Sequence, residues 1–365
     1  MDAKRKKIYI AILAIAVIVV LVAGLVFIGI KKEPAPLDPE NVTSVSIKIP
    51  SGATTAVIGQ TLEDNGIIAD AEKFRRWSKL NGYDSQYKAG TYALSPSMDY
   101  KVIAEIVVGG KVSTKTFTIP EGYTIYQTAD KLAADGLIDK EKFTTLLESS
   151  DFDEDYPFLA DAQKNKNHLE GYLMPNTYLI EEGTSEEQII RTMLNQFQKD
   201  VWEPYENGEL AANSKISSKY SLADILKAAS IIERECGKDE ERPVVASVIY
   251  NRLDKGMNLQ MCSTVQYILG KQKAVLSVAD TRIDSPYNTY LNPGLPPGPI
   301  CSPGLASIKA AFNPAETDYL YFVLSEKLDG TSNFSSDYQK FLKDKTAYDQ
   351  AYTAAHHAGK LVVVG

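Results

Sequence analysis

The longest uninterrupted apolar segment lies near the start of the chain. Residues 8–30 contain no charged side chain and are mostly Ile, Val, Leu and Ala, which is long enough to cross a hydrocarbon core of about 30 Å as a helix. Four basic residues precede this segment (4–7) and two follow it (31–32). This bias predicts a cytoplasmic tail over residues 1–7 and an extracytoplasmic remainder. A cleaved signal peptide is the alternative, although such peptides usually have a shorter apolar run and a small-x-small cleavage site.

A linker rich in proline (residues 31–44) leads into an internal repeat of apolar and turn positions. Residues 49–52 (Ile-Pro-Ser-Gly) recur as residues 119–122 (Ile-Pro-Glu-Gly), and the positions that follow recur at similar spacing: Leu62, Gly66, Ile68 and Phe74, then Leu132, Gly136, Ile138 and Phe143. Each copy predicts a strand, an amphipathic helix ended by glycine, and a second helix.

The first copy predicts a strand at 45–49, helices, a returning strand at 90–94 and a further helix over 100–108. This βααβ order resembles a LysM module, a small fold that binds N-acetylated sugar chains, and we assign residues 45–112 to it. The second copy occupies residues 113–150. Duplication of any small α+β unit would leave the same pattern, so sugar binding by this region stays an open alternative.

The remaining pattern predicts a mixed α/β domain over residues 113–345, followed by a tail at 346–365, so that the fold class of the extracytoplasmic part is α+β. Helical spacing predicts elements that begin after Ser221, at Pro243 and at Ser302–Pro303. The segment Asn292–Pro299 is too rich in proline and glycine for a helix or central strand, and residues 319–324 predict a buried strand.

Charge and cysteine content narrow the function classes. The chain has a net charge of −8, and residues 33–365 hold 33 basic against 46 acidic side chains, which makes nucleic-acid binding a poor interpretation. Three cysteines (236, 262 and 301) are too few for a disulfide scaffold, although one pair and a free thiol are possible.

The strongest local signal for chemistry is the segment from His168 to Tyr178, which contains Glu170 beside Leu169, Tyr172, Leu173 and Met174. Apolar neighbours would desolvate the carboxyl and raise its pKa, so that it could hold a proton near neutral pH and act as a general acid. The alternative is a glutamate salt-bridged at a turn.

A second carboxylate is predicted to be buried. At 100° per residue, Glu233 falls within the apolar stripe of the 221–236 helix, whereas Glu235 points to the opposite side with Lys227 and Arg234. A buried charge must be paired, hydrogen-bonded or functional. A structural glutamate bonded to a buried arginine or a backbone amide is therefore as good an interpretation as a catalytic one.

Polar and aromatic side chains that could line a sugar groove follow in two clusters, one with Gln260, Thr264 and Tyr267 and one over residues 285–290. Such residues are also ordinary loop residues. The histidines are His168, His356 and His357, so a Ser-His-Asp triad or a histidine-built zinc site would need His168 or the C-terminal tail. Neither kind of site is a good interpretation. No phosphate-binding glycine loop is present, and we expect no metal and no cofactor.

Several motifs, in order over roughly residues 45–340, resemble those of the MltG (YceG-like) endolytic murein transglycosylases. The motifs are Leu169-Glu170-Gly171-Tyr172 with Pro175-Asn-Thr-Tyr178, Ala229-Ser-Ile-Ile-Glu233-Arg-Glu235, Val245 to Leu253, Gly256-Met-Asn-Leu-Gln260, Tyr287-Asn288-Thr289-Tyr290, Gly294 to Pro299 and Tyr319-Leu-Tyr-Phe. Two departures are Cys262-Ser263, where relatives often have an acidic residue and proline, and residues 330–335, which lack the histidine that is common there.

The resemblance implies a membrane-anchored enzyme with Glu170 as catalytic acid/base, acting on peptidoglycan glycan strands close to the elongation or division machinery. Candidate substrate-binding residues are Tyr172, Glu233, Gln260, Tyr287, Asn288 and Tyr290. Two alternatives remain open: a non-catalytic LysM-type adaptor of peptidoglycan synthases, and a muramidase that uses water.

Overall fold

The computed structural model describes residues 34–110, 113–164, 166–212, 214–273 and 275–357. The predicted cytoplasmic tail and membrane helix (residues 1–30) lie outside these ranges. Within them, no helix is both long and apolar enough to cross a bilayer. The chain divides into two compact units, one reaching to Lys115 and including Leu179–Thr184, the other comprising Thr116–Tyr178 and the residues from Ser185 onward.

The first unit has the predicted βααβ order with an added helix. Its elements are β1 (Val45–Ile49), α1 (Thr55–Asp64), α2 (Ala71–Leu80), β2 (Gly90–Leu94) and α3 (Tyr100–Gly109). Strands β1 and β2 pair antiparallel, with Val45 opposite Leu94. Each helix begins where a side chain accepts a backbone N–H from the first turn, because Thr54, Asp70 and Asp99 are N-caps.

Aromatic rings fill the core of this unit. Phe74 lies 5.2 Å from Tyr100 and 6.4 Å from Trp77, measured between ring centroids, and all three are at most 5% exposed. Burying a ring of this size contributes about 1.5–3 kcal/mol. The sequence pattern predicted this element order, and the likeness to a LysM module remains a proposal.

The elements that follow are mostly helices, with four short strands among them. They are β3 (Thr114–Ile119), α4 (Ile125–Ala134), α5 (Lys140–Leu147), β4 (Asn176–Glu181), α6 (Glu186–Phe197), a π-helical turn (Gln198–Trp202), α7 (Glu203–Glu206), α8 (Leu222–Glu235), α9 (Arg242–Asp254), α10 (Cys262–Leu269), α11 (Leu305–Phe312), β5 (Tyr321–Leu324), β6 (Ser332–Ser335) and α12 (Tyr338–His357). In the described residues, β3 pairs with β4 and β5 with β6. The fold mixes helices and strands, as predicted.

Helix α8 is the centre of the second unit and packs against α9, α10 and α11. Its apolar stripe, which includes Leu226 and Ala229, is fully buried. Each of these three helices therefore covers one side of α8, and little of the α8 surface is exposed to solvent.

Two elements differ from their predicted form. Helix α11 begins at Leu305 rather than at Ser302, because Ser302 exchanges backbone hydrogen bonds with the 122–123 segment and is held extended. Strand β5 begins at Tyr321 and is half-buried rather than buried, since its rings are covered on one side by α12. Helix α12 also runs through the predicted boundary between residues 345 and 346.

Candidate active site

Glu170 lies in a tight turn between buried apolar side chains. Its backbone N–H donates to Asn167 O at 3.0 Å, and Leu169, Tyr172 and Leu173 are at most 1% exposed. Gly171 has a φ of +89° and its backbone is so close to Pro299 that a Cβ would lie 2.5 Å from the proline ring. Only glycine fits there, and this fixes the turn that carries the carboxyl.

The carboxyl group of Glu170 is completely buried and has neutral hydrogen-bond partners. The Ile125 N–H lies 3.2 Å from Oε1 and 3.4 Å from Oε2, and the Tyr267 hydroxyl lies 3.3 Å from Oε2. No ion pair to Glu170 occurs among the described residues. The alternative of a salt-bridged glutamate at a turn is therefore wrong.

Burial is the main cause of the raised pKa of Glu170. Loss of hydration raises the pKa of Glu170 from 4.5 to about 8, and the hydrogen bonds from Ile125, Tyr267 and the Gly171 backbone oppose the rise. The carboxyl therefore keeps its proton at neutral pH, as the sequence pattern predicted.

The Ile125 N–H belongs to the first residue of α4, whose N-cap is Thr124. The positive end of the helix dipole is thus directed at the Glu170 carboxyl. This arrangement stabilises the carboxylate that remains after the proton has left, so the site supports both protonation states.

A cleft of about 610 Å³ lies beside the carboxyl, within the size range of sites for small ligands and sugar rings. Tyr126, Asn167, Tyr267 and Tyr287 line it, and Glu170 lies behind Tyr267 rather than on its surface. The charged residues of the wall are Lys166, Arg234, Lys271 and Asp130. The cleft therefore offers aromatic faces, an amide and excess positive charge.

A hydrogen-bonded network fixes the polar groups at the bottom of the cleft. Asn167 Nδ2 donates to Tyr267 Oη at 2.8 Å, and Tyr126 Oη donates to Asn167 Oδ1 at 3.2 Å. The ring of Tyr287 lies 5.0 Å from that of Tyr267, and its hydroxyl donates to Gln163 at 2.6 Å. Tyr267 is therefore held by its ring and by its hydroxyl.

Glu233 is buried, as predicted, and its partners are those of the structural alternative. Its side chain is 8% exposed, and its Oε2 accepts from Arg242 Nη1 at 3.2 Å and from the Gly304 N–H at 3.0 Å. It does not line the cleft. Glu233 therefore joins α8 to α9 and to the start of α11.

Of the other predicted substrate-binding residues, Tyr287 lines the cleft and four do not. Gln260 is exposed at a φ of +53° and its N–H donates to Thr289 O. Asn288 is buried and binds the backbone of its own loop at Thr281, Ile283 and Tyr290. The Asn288 side chain and the Gln260 backbone therefore shape the loop.

Tyr290 and Tyr172 also lie away from the cleft. The Tyr290 hydroxyl is 3.1 Å from Cys262 Sγ. Tyr172 is 1% exposed and its ring packs against Phe158 and Phe197 in the core. A side chain in this position supports the turn of Glu170 from behind and does not contact the cleft.

The side of α8 that carries Glu235 and Arg234 is not left open to solvent, because α10 packs against this helix. Glu235 accepts the Ser263 N–H at 2.9 Å, and burial raises its pKa. Arg234 lines the cleft and donates to Gly122 O at 3.1 Å. Sequence reasoning also missed the Ile125 N–H, since a backbone donor leaves no signal in residue identity.

The three cysteines are free thiols, and Cys301 is buried. Among residues 34–357, apart from the gaps given above, no group of His, Cys, Asp and Glu side chains is arranged to hold a metal ion.

Comparisons with known proteins agree with the order of motifs. A family model described as the YceG-like family matches residues 47–347. An endolytic murein transglycosylase of Bacillus subtilis (strain 168) is 36% identical over 338 residues, which cover 90% of this chain and 91% of that protein. An enzyme of the same name from Streptococcus pneumoniae serotype 2 (strain D39) is 36% identical over 79% of this chain, which spans 55% of the streptococcal protein.

A solved structure is also similar. The crystal structure of a YceG-like protein from Listeria monocytogenes is 36% identical in sequence and aligns with a TM-score of 0.55, covering 82% of this chain and 98% of that one.

Proposed function

The chain belongs to the YceG-like family, and we propose on this basis that it is an endolytic lytic transglycosylase of peptidoglycan. It cleaves the β-1,4 bond between N-acetylmuramic acid and N-acetylglucosamine within a glycan strand and leaves a 1,6-anhydro end. The observation that carries the proposal is the buried Glu170 carboxyl with a pKa of about 8 behind the wall of a ligand-sized cleft.

The first step is general acid catalysis. Protonated Glu170 supplies a proton to the glycosidic oxygen while the bond to C1 breaks through an oxocarbenium-like state. A pKa near the working pH suits this role, because the acid is present in its protonated form and is still strong enough to donate.

The second step uses the carboxylate that the first step leaves. It removes the proton of the muramyl 6-hydroxyl, whose oxygen closes on C1 to form the anhydro ring. The N-terminus of α4 stabilises this carboxylate through the Ile125 N–H. The nucleophile belongs to the substrate, so the pair of carboxyl groups that hydrolytic glycosidases need is not required.

The lining of the cleft suits such a strand. The faces of Tyr126 and Tyr287 can stack on sugar rings, and Asn167 can bind hydroxyl or acetamide groups. We retain Tyr287 as a substrate-binding residue, whereas Glu233, Gln260, Asn288, Tyr290 and Tyr172 serve by holding the loops and turns around the cleft.

The experiment is mass analysis of products from purified glycan strands with the wild-type protein, Glu170→Gln and Glu206→Gln, an exposed glutamate of α7 that serves as control. We expect anhydro ends from the wild type and the control, and none from Glu170→Gln. Full activity of Glu170→Gln would refute the assignment. Reducing ends would identify a muramidase, and strand binding without new ends would favour the adaptor.

We also propose where in the cell the enzyme acts. Residues 8–30 anchor the chain with its N-terminus in the cytoplasm and its folded part outside, close to newly made strands and to the synthases that extend them. Such an enzyme would terminate strand growth. The first unit would bind glycan in the manner of a LysM module, which a pull-down of this unit with insoluble peptidoglycan tests.

A further inference from the structure

Tyr267 contacts the proposed proton donor and also lines the cleft. The Glu170 side chain has no exposed surface, whereas Tyr267 lines the cleft and its hydroxyl is 3.3 Å from Glu170 Oε2. In this arrangement, a sugar in the cleft meets the tyrosine before it meets the carboxyl.

The hydrogen-bond partners determine the direction of the proton on Glu170. The Tyr267 hydroxyl donates to Oε2 when Glu170 is a carboxylate. When Glu170 is protonated, the Tyr267 oxygen can accept its proton, because the Ile125 N–H is a donor only. Asn167 Nδ2 also donates to this oxygen at 2.8 Å. The phenolic hydrogen then no longer has the carboxylate as its acceptor and can turn toward the cleft that Tyr267 lines.

We propose that Tyr267 is a catalytic proton relay between Glu170 and the glycan in the cleft, an inference that rests on the proposed function. As the glycosidic C1–O bond breaks, the phenolic hydrogen moves to the leaving oxygen and the Glu170 proton moves to the tyrosine oxygen. In the second step, the muramyl 6-hydroxyl gives its proton to the tyrosine oxygen while the phenolic hydrogen returns to Glu170. The tyrosine is unchanged after each step, and the carboxyl ends as it began.

The two proton transfers in each step occur together. Burial and the neighbouring Glu170 raise the pKa of Tyr267, so a tyrosinate is not a stable intermediate. A neutral phenol that accepts one proton while it gives another avoids this charged state.

The test is the Tyr267→Phe variant, which keeps the ring that packs on Tyr287 and removes the relay oxygen. We expect kcat to fall by about 100-fold or more at every pH, in the range of lost acid-base catalysis, with KM nearly unchanged. Tyr338→Phe, at a half-exposed tyrosine of α12, is the matched control and should be as active as the wild type.

The pH profile separates a relay from a role in tuning Glu170. The hydrogen bond from Tyr267 lowers the pKa of Glu170, so a tuning role would move the alkaline limb of Tyr267→Phe to higher pH and keep the plateau. That result, or wild-type activity throughout, would overturn the relay. A solvent-isotope series on the wild type should give a curved dependence of kcat on deuterium content, which indicates two protons in motion, and a straight line would count against it.

The Glu170→Gln variant distinguishes a failure of the proposed function from a failure of the Tyr267 relay. Activity in Glu170→Gln would refute the proposed function itself, whatever Tyr267→Phe does. An inactive Glu170→Gln beside a fully active Tyr267→Phe would leave the enzyme assignment intact and eliminate the relay. Thermal melts of all variants show whether each is folded.

Discussion

The buried carboxyl that we propose as the catalytic acid should also destabilise the fold. Glu170 has a pKa of about 8 in the folded protein against an ordinary value of 4.5, so the unfolded chain releases this proton more easily. Below pH 4.5 Glu170 is protonated in both the folded and the unfolded chain, so the wild type loses no stability there. As the pH rises from 4.5 to 8, the wild type progressively loses stability relative to a chain with a neutral side chain at this position.

The size of the effect follows from this shift. Each unit of pKa corresponds to about 1.4 kcal/mol, so between pH 4.5 and pH 7 the loss amounts to about 3 kcal/mol, and it reaches about 5 kcal/mol above pH 8. In Glu170→Gln, the amide oxygen can accept from Ile125 and the amide nitrogen can donate to Tyr267, which preserves the hydrogen bonds. The inactive variant should therefore be more stable than the wild type.

Thermal and chemical denaturation of the protein at a series of pH values measures this difference. We expect Glu170→Gln to melt higher than the wild type by roughly 10 °C at pH 7, from about 2–4 °C per kcal/mol for a domain of this size, and the two to converge near pH 4. Glu206→Gln should follow the wild type at each pH. Equal stability of Glu170→Gln and the wild type from pH 4 to pH 9 would refute the reasoning, since the carboxyl would then carry no penalty.

Two further predictions follow from the same contacts. Because the acid must be protonated when it meets the strand, kcat/KM should fall above about pH 8 and stay level on the acidic side down to the onset of unfolding; a fall centred near pH 5 would contradict this. Glu233→Ala should lower the free energy of unfolding by about 3 kcal/mol, because it removes the buried carboxylate of Arg242 and leaves only the exposed Asp239 as its partner. Urea denaturation measures this loss. Glu233→Gln should lose less stability, because its amide oxygen can still accept from the Gly304 N–H. Equal stability of Glu233→Ala and the wild type would rule the pairing out.

Local signals in the sequence were sufficient for most elements of the fold. The cap at Ser221 and the apolar spacing after it predicted α8 within a residue or two, and the repeat pattern predicted the strands at 45–49 and 90–94. The burial of Glu233 also followed from spacing, because helical periodicity gives the orientation of a side chain on its own helix.

Orientation on one helix does not show what packs against the other sides. Glu235 was predicted to lie opposite the apolar stripe of α8, and its cover by α10 was not foreseen. Ser302 was predicted to cap a helix, but it exchanges backbone hydrogen bonds with the 122–123 segment. Both outcomes depend on segments far away in the chain. For the same reason, Tyr267 could be predicted to line a groove, whereas its bond to Glu170 could not.

The three groups that set the acidity of the site come from distant parts of the chain, since Ile125 and Tyr267 are 45 and 97 residues away from Glu170. Before these segments meet, position 170 carries an ordinary hydrated carboxylate that has no proton to give at neutral pH. The proposed ability to cut thus arises only after these segments have come together. A copy in which they have not met would have no acid with which to cut the cell wall.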